Sequence, residues 1–341
     1  MAERVLSAPA EAGAALWPRR LLGLALLLLL LALMAGLHLS LGASSLEAGS
    51  LWQALVDYNP QDAGQNIIRE IRQPRLVVAL VVGAALAVAG VLMQAVSNNP
   101  LADPGLLGIN SGAAFFVVGG LLMLPGSQHG WLPLYAFAGA AFAALLVLLL
   151  SGRQQSPERL VLAGVAVTAL FAAMTAILLI VDQQGLDKLR HWLTGAIGAS
   201  DLKKLAWVWP WLLAGLVLTA LLARSLNAHH LGDRAAASLG VNVGLLKLAS
   251  LALVIVLSGS VVAVAGPIGF VGLVVPHMAR LLVRSDYRWL LPYALVLGAV
   301  LLVSADLAAR IVVRPYEINT GIITALVGAP VFIALVIGRM R

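Results

Sequence analysis

Long apolar stretches without a single charge set the pattern of this chain. Eight runs lack Asp, Glu, Lys and Arg: 21–46, 76–102, 104–152, 160–181, 205–223, 248–279, 289–305 and 318–338. A helix needs roughly 20 residues to cross the hydrocarbon core of a bilayer, and each run reaches or nearly reaches that length. Two runs are too long for one helix. Run 104–152 breaks at the turn-forming stretch Leu124-Pro125-Gly126-Ser127-Gln128-His129-Gly130, and run 248–279 breaks at Gly266-Pro267-Ile268-Gly269. Unpaired backbone groups are costly in lipid, so such breaks have to reach water or protein. The pattern predicts an all-α polytopic membrane protein, one transmembrane domain over 1–341, with ten helices at 20–41, 75–96, 106–124, 131–150, 159–181, 204–224, 244–265, 270–283, 288–306 and 319–339. Ten crossings place both termini on one side, residues 1–19 forming a tail there.

Composition agrees. Charged residues make up 11% of the 341 and hydrophobic residues 61%, where a soluble domain carries about 25% charged residues. Absence of cysteine excludes a disulfide scaffold and any Cys-ligated metal site. The net charge of +7 divides unequally in this topology: thirteen Lys and Arg against six acids on the tail side, nine against nine on the other. Lys and Arg concentrate on the cytoplasmic side of membrane proteins, so the termini are expected to be cytoplasmic and no nucleic-acid partner is implied. Arg19-Arg20, the apolar run and the small residues Leu41-Gly42-Ala43-Ser44 also fit a cleaved signal peptide. The 26 uncharged residues of that run exceed the usual apolar core of about 7–15, which favours a retained first helix.

No Gly-Lys dipeptide occurs, so the chain has no phosphate-cradling P-loop. The six histidines are scattered. His229 and His230 are neighbours and point apart on a helix, which favours a polar loop over a metal site. No acid lies inside any of the eight runs, and proton-driven carriers usually place one there. The energy for any transport is therefore expected from a partner.

Two loops have structure of their own. Between 224 and 244, Asp233 reads as an N-cap, Arg234–Leu239 as a short Ala-rich helix and Gly240 as its C′ residue. A helix this short rarely persists alone, so it must dock on something. The segment 187–199 is too short and polar to span and reads as an interfacial or re-entrant helix anchored by Trp192. Gly83, Ala87 and Gly90, like Gly259, Ala263 and Gly266, are small residues at the spacing of close helix packing.

The segment Ser97-Asn98-Asn99-Pro100-Leu101-Ala102-Asp103-Pro104-Gly105-Leu106-Leu107-Gly108 resembles the signature of the FecCD (BtuC-like) family of importer permeases. The resemblance continues at Arg72-Gln73-Pro74-Arg75, at Leu162-Ala163-Gly164-Val165-Ala166, through Val264 to Arg280, at Asp306 and Arg310, and at Thr324-Ala325-Leu326. It covers roughly residues 45 to 340. One departure is Glu317-Ile318-Asn319-Thr320-Gly321, where many members have a proline.

The resemblance implies a ten-helix permease in which helices two to five and seven to ten form an inverted repeat. It also implies a second permease subunit, two ABC ATPases that hold the ATP and Mg, and a periplasmic binding protein. The cargo would be a ferric siderophore, with haem or cobalamin as alternatives. An ATPase-independent secondary transporter or channel is the alternative from another class. The chain itself would be no enzyme and would bind no metal or cofactor directly.

The resemblance further implies ATPase coupling at 231–241, with Leu231, Gly232, Asp233, Arg234, Ala235, Leu239 and Gly240, and binding-protein docking at Arg69, Arg72, Arg75, Arg310 and Arg314. It places a cytoplasmic gate at Asn99, Leu101, Ser156, Pro157 and Glu158, and a periplasmic gate on the short helix 187–199 at Trp192, Gly195 and Gly198. Thr168, Thr175, Ser304 and Thr324 are polar residues at membrane depth and candidates for the pathway.

Overall fold

A computed structural model of the chain describes residues 3–44, 49–123, 131–152, 157–181 and 192–339. The described residues are helical, turn or irregular, with no strand among them. The helices are α1 (Glu3–Ser40), α2 (Ser50–Val56), α3 (Ala63–Asn66), α4 (Gln73–Val96), α5 (Ile109–Met123), α6 (Leu132–Ser151), α7 (Pro157–Val181), α8 (Asp201–His229), α9 (Asp233–Ser238), α10 (Val243–Ala265), α11 (Val271–Val283), α12 (Tyr287–Ile311) and α13 (Thr320–Arg339). A π-helical stretch, Ile67–Arg72, joins α3 to α4, and a 3₁₀ turn, Pro104–Leu107, precedes α5.

Seven helices are long and apolar enough to cross a bilayer: the 17–40 part of α1, the continuous 63–96 segment ending in α4, α6, α7, α8, α10 and α12. Ile109–Met123, Val271–Val283 and Thr320–Ala334 are shorter apolar helices. Charge-free runs understate several helices. α1 continues back into the expected tail, to Glu3, α8 runs from Asp201 to His229, and α12 continues past Asp306 to Ile311. A charged side chain ends an apolar run without ending a helix, because backbone hydrogen bonding ignores side-chain polarity.

The core is built on α4, α10 and α12, whose side chains are mostly buried. α1, α7, α8 and α13 present large apolar side chains outward, as lipid or a partner subunit requires. Small residues allow the closest approaches. A Cβ on Gly83 would collide with the Gly298 carbonyl of α12, and one on Gly90 with the Gly272 carbonyl of α11. Gly259 faces Phe137 and Ala140 of α6 at ordinary contact distance. Gly266 is different: at φ +72° it ends α10, and a side chain there would strike the Trp192 carbonyl. It serves as a helix terminus and not as part of a packing face.

Polar contacts define the two ends of the bundle. At one end Arg20 pairs with Asp286 at 3.0 Å, Asn227 Nδ2 donates to Asp286 at 3.0 Å, and the Tyr287 N–H donates to Asn227. Trp17 meets Trp289 edge to face, 5.3 Å between centroids. At the other end lie the last turn of α1, the first turns of α4 and α13, and the last turn of α12.

Candidate functional site

The end of the bundle that holds Arg20 and Asp286 also carries α9. Gly232, at φ +104°, lets the chain turn into this six-residue helix, and Gly240, at φ +82°, ends it. The N–H groups of Gly240 and Val241 return to the carbonyls of Ala237 and Ala236, the pairing of a Schellman terminus. Asp233 is the first helical residue and not the N-cap the sequence suggested. Because Gly232 occupies the cap, the Asp233 carboxylate is released to pair with Lys247 at 2.8 Å, with His229 Nδ1 3.2 Å away. The Lys247 hydrogen bond holds the Asp233 carboxyl below its ordinary range. Ala236, on the inner face of α9, is fully buried, while Leu231 and Leu239 are 68% and 64% exposed. Arg234 is exposed and Ala235 half-buried. The helix is pinned at its base and shows two leucines to the outside.

Next to it runs the loop between α4 and α5. Asn98, at φ +47°, turns the chain, the Asn99 side chain accepts from the Leu101 N–H at 2.9 Å, and Asp103 accepts from the Gly105 N–H at 2.8 Å. Burial pushes the Asp103 carboxyl above its ordinary range. The loop rests on α7: a Cβ on Gly164 would strike the Leu106 carbonyl, and Gly108 faces Val167. Pro157 opens α7, Glu158 is exposed, and Ser156 lies outside the described residues.

At the opposite end, the five arginines expected to face a docking partner separate into two kinds. Arg72 is 2% exposed, and its guanidinium donates to the carbonyls of Leu39, Ser40 and Ser44 at 2.7–2.9 Å. Arg310 is also 2% exposed and donates to the His38 carbonyl at 3.1 Å. Both serve the orphan carbonyls at the end of α1. Arg75 is buried and doubly bonded to Asp306, with its remaining arm on Glu317 at 2.7 Å. Arg72, Arg75 and Arg310, expected to dock a binding protein, thus have their guanidinium groups bonded inside this chain. Arg69, stacked 4.3 Å over the Tyr58 ring, and Arg314 are exposed.

The periplasmic-gate segment is described only from Trp192 onward, so residues 187–191 of the expected helix 187–199 lie outside the described residues. Trp192 and Leu193 are helical, and 195–198 are irregular. Gly195, at φ +70°, is wedged so tightly that a Cβ would collide with the Pro267 carbonyl. Its carbonyl accepts from the Gly321 N–H at 2.8 Å, and the Gly198 N–H donates to Asp201 at 2.8 Å. These contacts tie both glycines to the first turn of α13 and to the start of α8. The Asn319 amide bonds the Thr194 hydroxyl, which gives a purpose to the residue that departs from the family pattern.

Of the pathway candidates, Thr168 is exposed on α7. Thr175 is buried and bonded to the Phe171 carbonyl of its own helix at 2.7 Å, so its hydroxyl is not offered to a pathway. Thr324 and Ser304 line an apolar slot of about 150 Å³ among α11, α12 and α13. Among the described residues no group of three or more His, Asp or Glu stands ready to hold a metal ion.

Sequence reasoning missed the hub of this end, Asp306. It is fully buried and touches His38, Arg75 and Thr320. Two signals pointed to it: Asp306 and Arg310 are four residues apart, hence on one helix face, and His38 is a titratable group inside an apolar run.

A family model described as the FecCD transport family matches residues 26–338. The chain belongs to the FecCD transport family. Among its FecCD relatives, YfiZ of Bacillus subtilis (strain 168), assigned as a siderophore transport system permease protein, is 44% identical over 83% of this chain and 86% of its own length. The hemin transport system permease protein HmuU of Yersinia pestis is 42% identical over 94% of this chain and 96% of its own. The ferric enterobactin transport system permease protein FepD of Escherichia coli (strain K12) is 41% identical over 92% and 95%. A solved ABC transporter assigned to the metal-chelate type, in an inward-facing conformation, matches with a TM-score of 0.80 at 32% identity, over 94% of this chain and 99% of that one. As a FecCD member the chain is a multi-pass transport permease subunit.

Proposed function

We propose that this chain carries a ferric siderophore from periplasm to cytoplasm through the bacterial inner membrane, as one permease subunit of an ATP-driven importer. The seven long helices and the three shorter apolar ones all cross the bilayer in this reading, the four from α4 to α7 and the four from α10 to α13 forming an inverted repeat. The Arg20–Asp286 end and both termini face the cytoplasm. A second permease copy, identical or paralogous, completes the pathway, two ATPase chains bind ATP and Mg beneath, and a binding protein delivers cargo from above.

The observation that carries the coupling assignment is α9: a capped, six-residue helix with exposed Leu231 and Leu239. Large apolar side chains on a charged, water-facing end fit a partner's groove better than they fit water. The siderophore class rests on relatives named for siderophores and ferric enterobactin. HmuU, named for hemin, makes haem the second reading. The test is uptake of ferric enterobactin and of hemin into proteoliposomes holding the chain with its ATPase. ATP-dependent uptake of the siderophore is expected. Uptake by the chain alone, without ATPase or ATP, would overturn the importer assignment.

A further inference from the structure

Asp306 ties four helices together. His38 of α1 is 2.8 Å from its Oδ2, and Arg75 of α4 binds both its oxygens at 2.9–3.1 Å. Thr320, the first residue of α13, donates to Oδ1 at 2.7 Å. Arg310, on α12 like Asp306 itself, lies 3.5 Å away. A buried carboxylate with this many partners is compensated, and losing one of them would leave charge stranded. That half of the network is buried.

Glu317 is different. It takes the last arm of the Arg75 fork at 2.7 Å, yet its side chain is 41% exposed. Exposed pairs are weakly held and screened by salt, so this half can open while Arg75 keeps Asp306. The position of Glu317 gives the opening a consequence. Two residues further on the Asn319 amide holds Thr194, and four residues on the Gly321 N–H holds the Gly195 carbonyl. The first turn of α13 therefore fastens the Thr194–Gly195 segment. Beside this junction lies an open apolar groove of about 590 Å³, lined by Thr194, Gly321, Ile322, Ala325, Leu326 and Ala329.

The geometry points to Glu317 as a positioning residue for the substrate-entry side: through Arg75 it holds the first turn of α13, and with it Thr194–Gly195, at the edge of this groove. This rests on the importer reading only in calling that side the entry. Other charges near the clasp are Arg72, Arg310 and Arg314, with His38 beneath. Glu317 and Asp306 are the acids among them, so removing one acid leaves the arginines less restrained.

The chain has no cysteine, so Ala325→Cys provides a single thiol inside the groove. In right-side-out vesicles holding the full importer, a membrane-impermeant maleimide is added outside. Glu317→Gln in the Ala325→Cys background is expected to label several-fold faster than the parent and to import ferric enterobactin several-fold more slowly. Glu317→Asp, which keeps the charge, is expected to restore slow labelling. Equal labelling of Glu317→Gln and parent overturns the proposal, including the case in which only thermal stability falls, because that is the mark of a merely structural residue. Faster labelling in an importer whose parent imports nothing supports the clasp and counts against the importer reading. Import by the parent with unchanged labelling does the reverse.

Discussion

Asp286 and Asp103 sit in loops at the same end of the bundle and answer to opposite forces. Burial alone would raise the Asp286 carboxyl, but hydrogen bonds from Asn227, the Arg288 N–H and Arg20 outweigh it and leave it below its ordinary range. Its contribution to stability is therefore complete at neutral pH and is lost as pH falls below about 4. Asp286→Asn is expected to lower the thermal midpoint at pH 7, with the gap to the parent closing under acid. For Asp103 burial dominates, the carboxyl is raised, and the ionised form costs stability at neutral pH. Asp103→Asn keeps an oxygen for the Gly105 N–H and is expected to hold or raise the midpoint at pH 7. A drop like that of Asp286→Asn would refute this account. Neither sign could be read from the chain, where both residues are simply acids beside turns. Burial and partners that come from distant helices decide the difference.

Among the elements, α9 shows how far local rules reach. Gly240 was legible as a helix end because few other residues accept φ near +82°. Gly240→Ala forces a left-handed backbone on a residue with a Cβ, at a cost of roughly 1–2 kcal/mol, measurable as a lower midpoint. The start of the helix was misread because Asp favours N-caps, and only the fold shows that Lys247 draws Asp233 away from that task. Replacing Leu231 and Leu239 together by Asp is expected to leave the bundle folded and to reduce ATPase-coupled uptake at least tenfold, since their exposure makes them dispensable to the core. Unimpaired uptake would remove α9 from the coupling surface. In α4, by contrast, the small-residue spacing that announced close packing is occupied by Gly298 and Gly272, and Gly83→Leu is expected to yield no folded chain.

For the whole molecule, the arginines divide by access. Reversing exposed Arg69 and Arg314 to Glu is expected to weaken capture of the binding protein, most of all at low salt where rim charges act furthest. Reversing Arg72 or Arg310 is expected to reduce the amount of folded chain, because each leaves the end of α1 with unserved carbonyls. Pull-down and expression level, measured together, separate the two outcomes. If Arg69 and Arg314 reversals leave capture unchanged at low salt, docking uses other groups.

The apolar runs by themselves determined that the chain is helical and lipid-solvated, because charge is tolerated only where a helix reaches water or a partner. The loop motif from Ser97 to Gly108 determined the family. The tertiary structure alone decided which charges face outward. Arg69, Arg72 and Arg75 stand three residues apart on neighbouring turns and look alike in sequence. Arg69 reaches solvent over Tyr58, while Arg72 and Arg75 turn toward the end of α1 and toward Asp306, 231 residues away for Arg75. A side chain's direction depends on what the rest of the fold places beside it, and that information is spread across the chain.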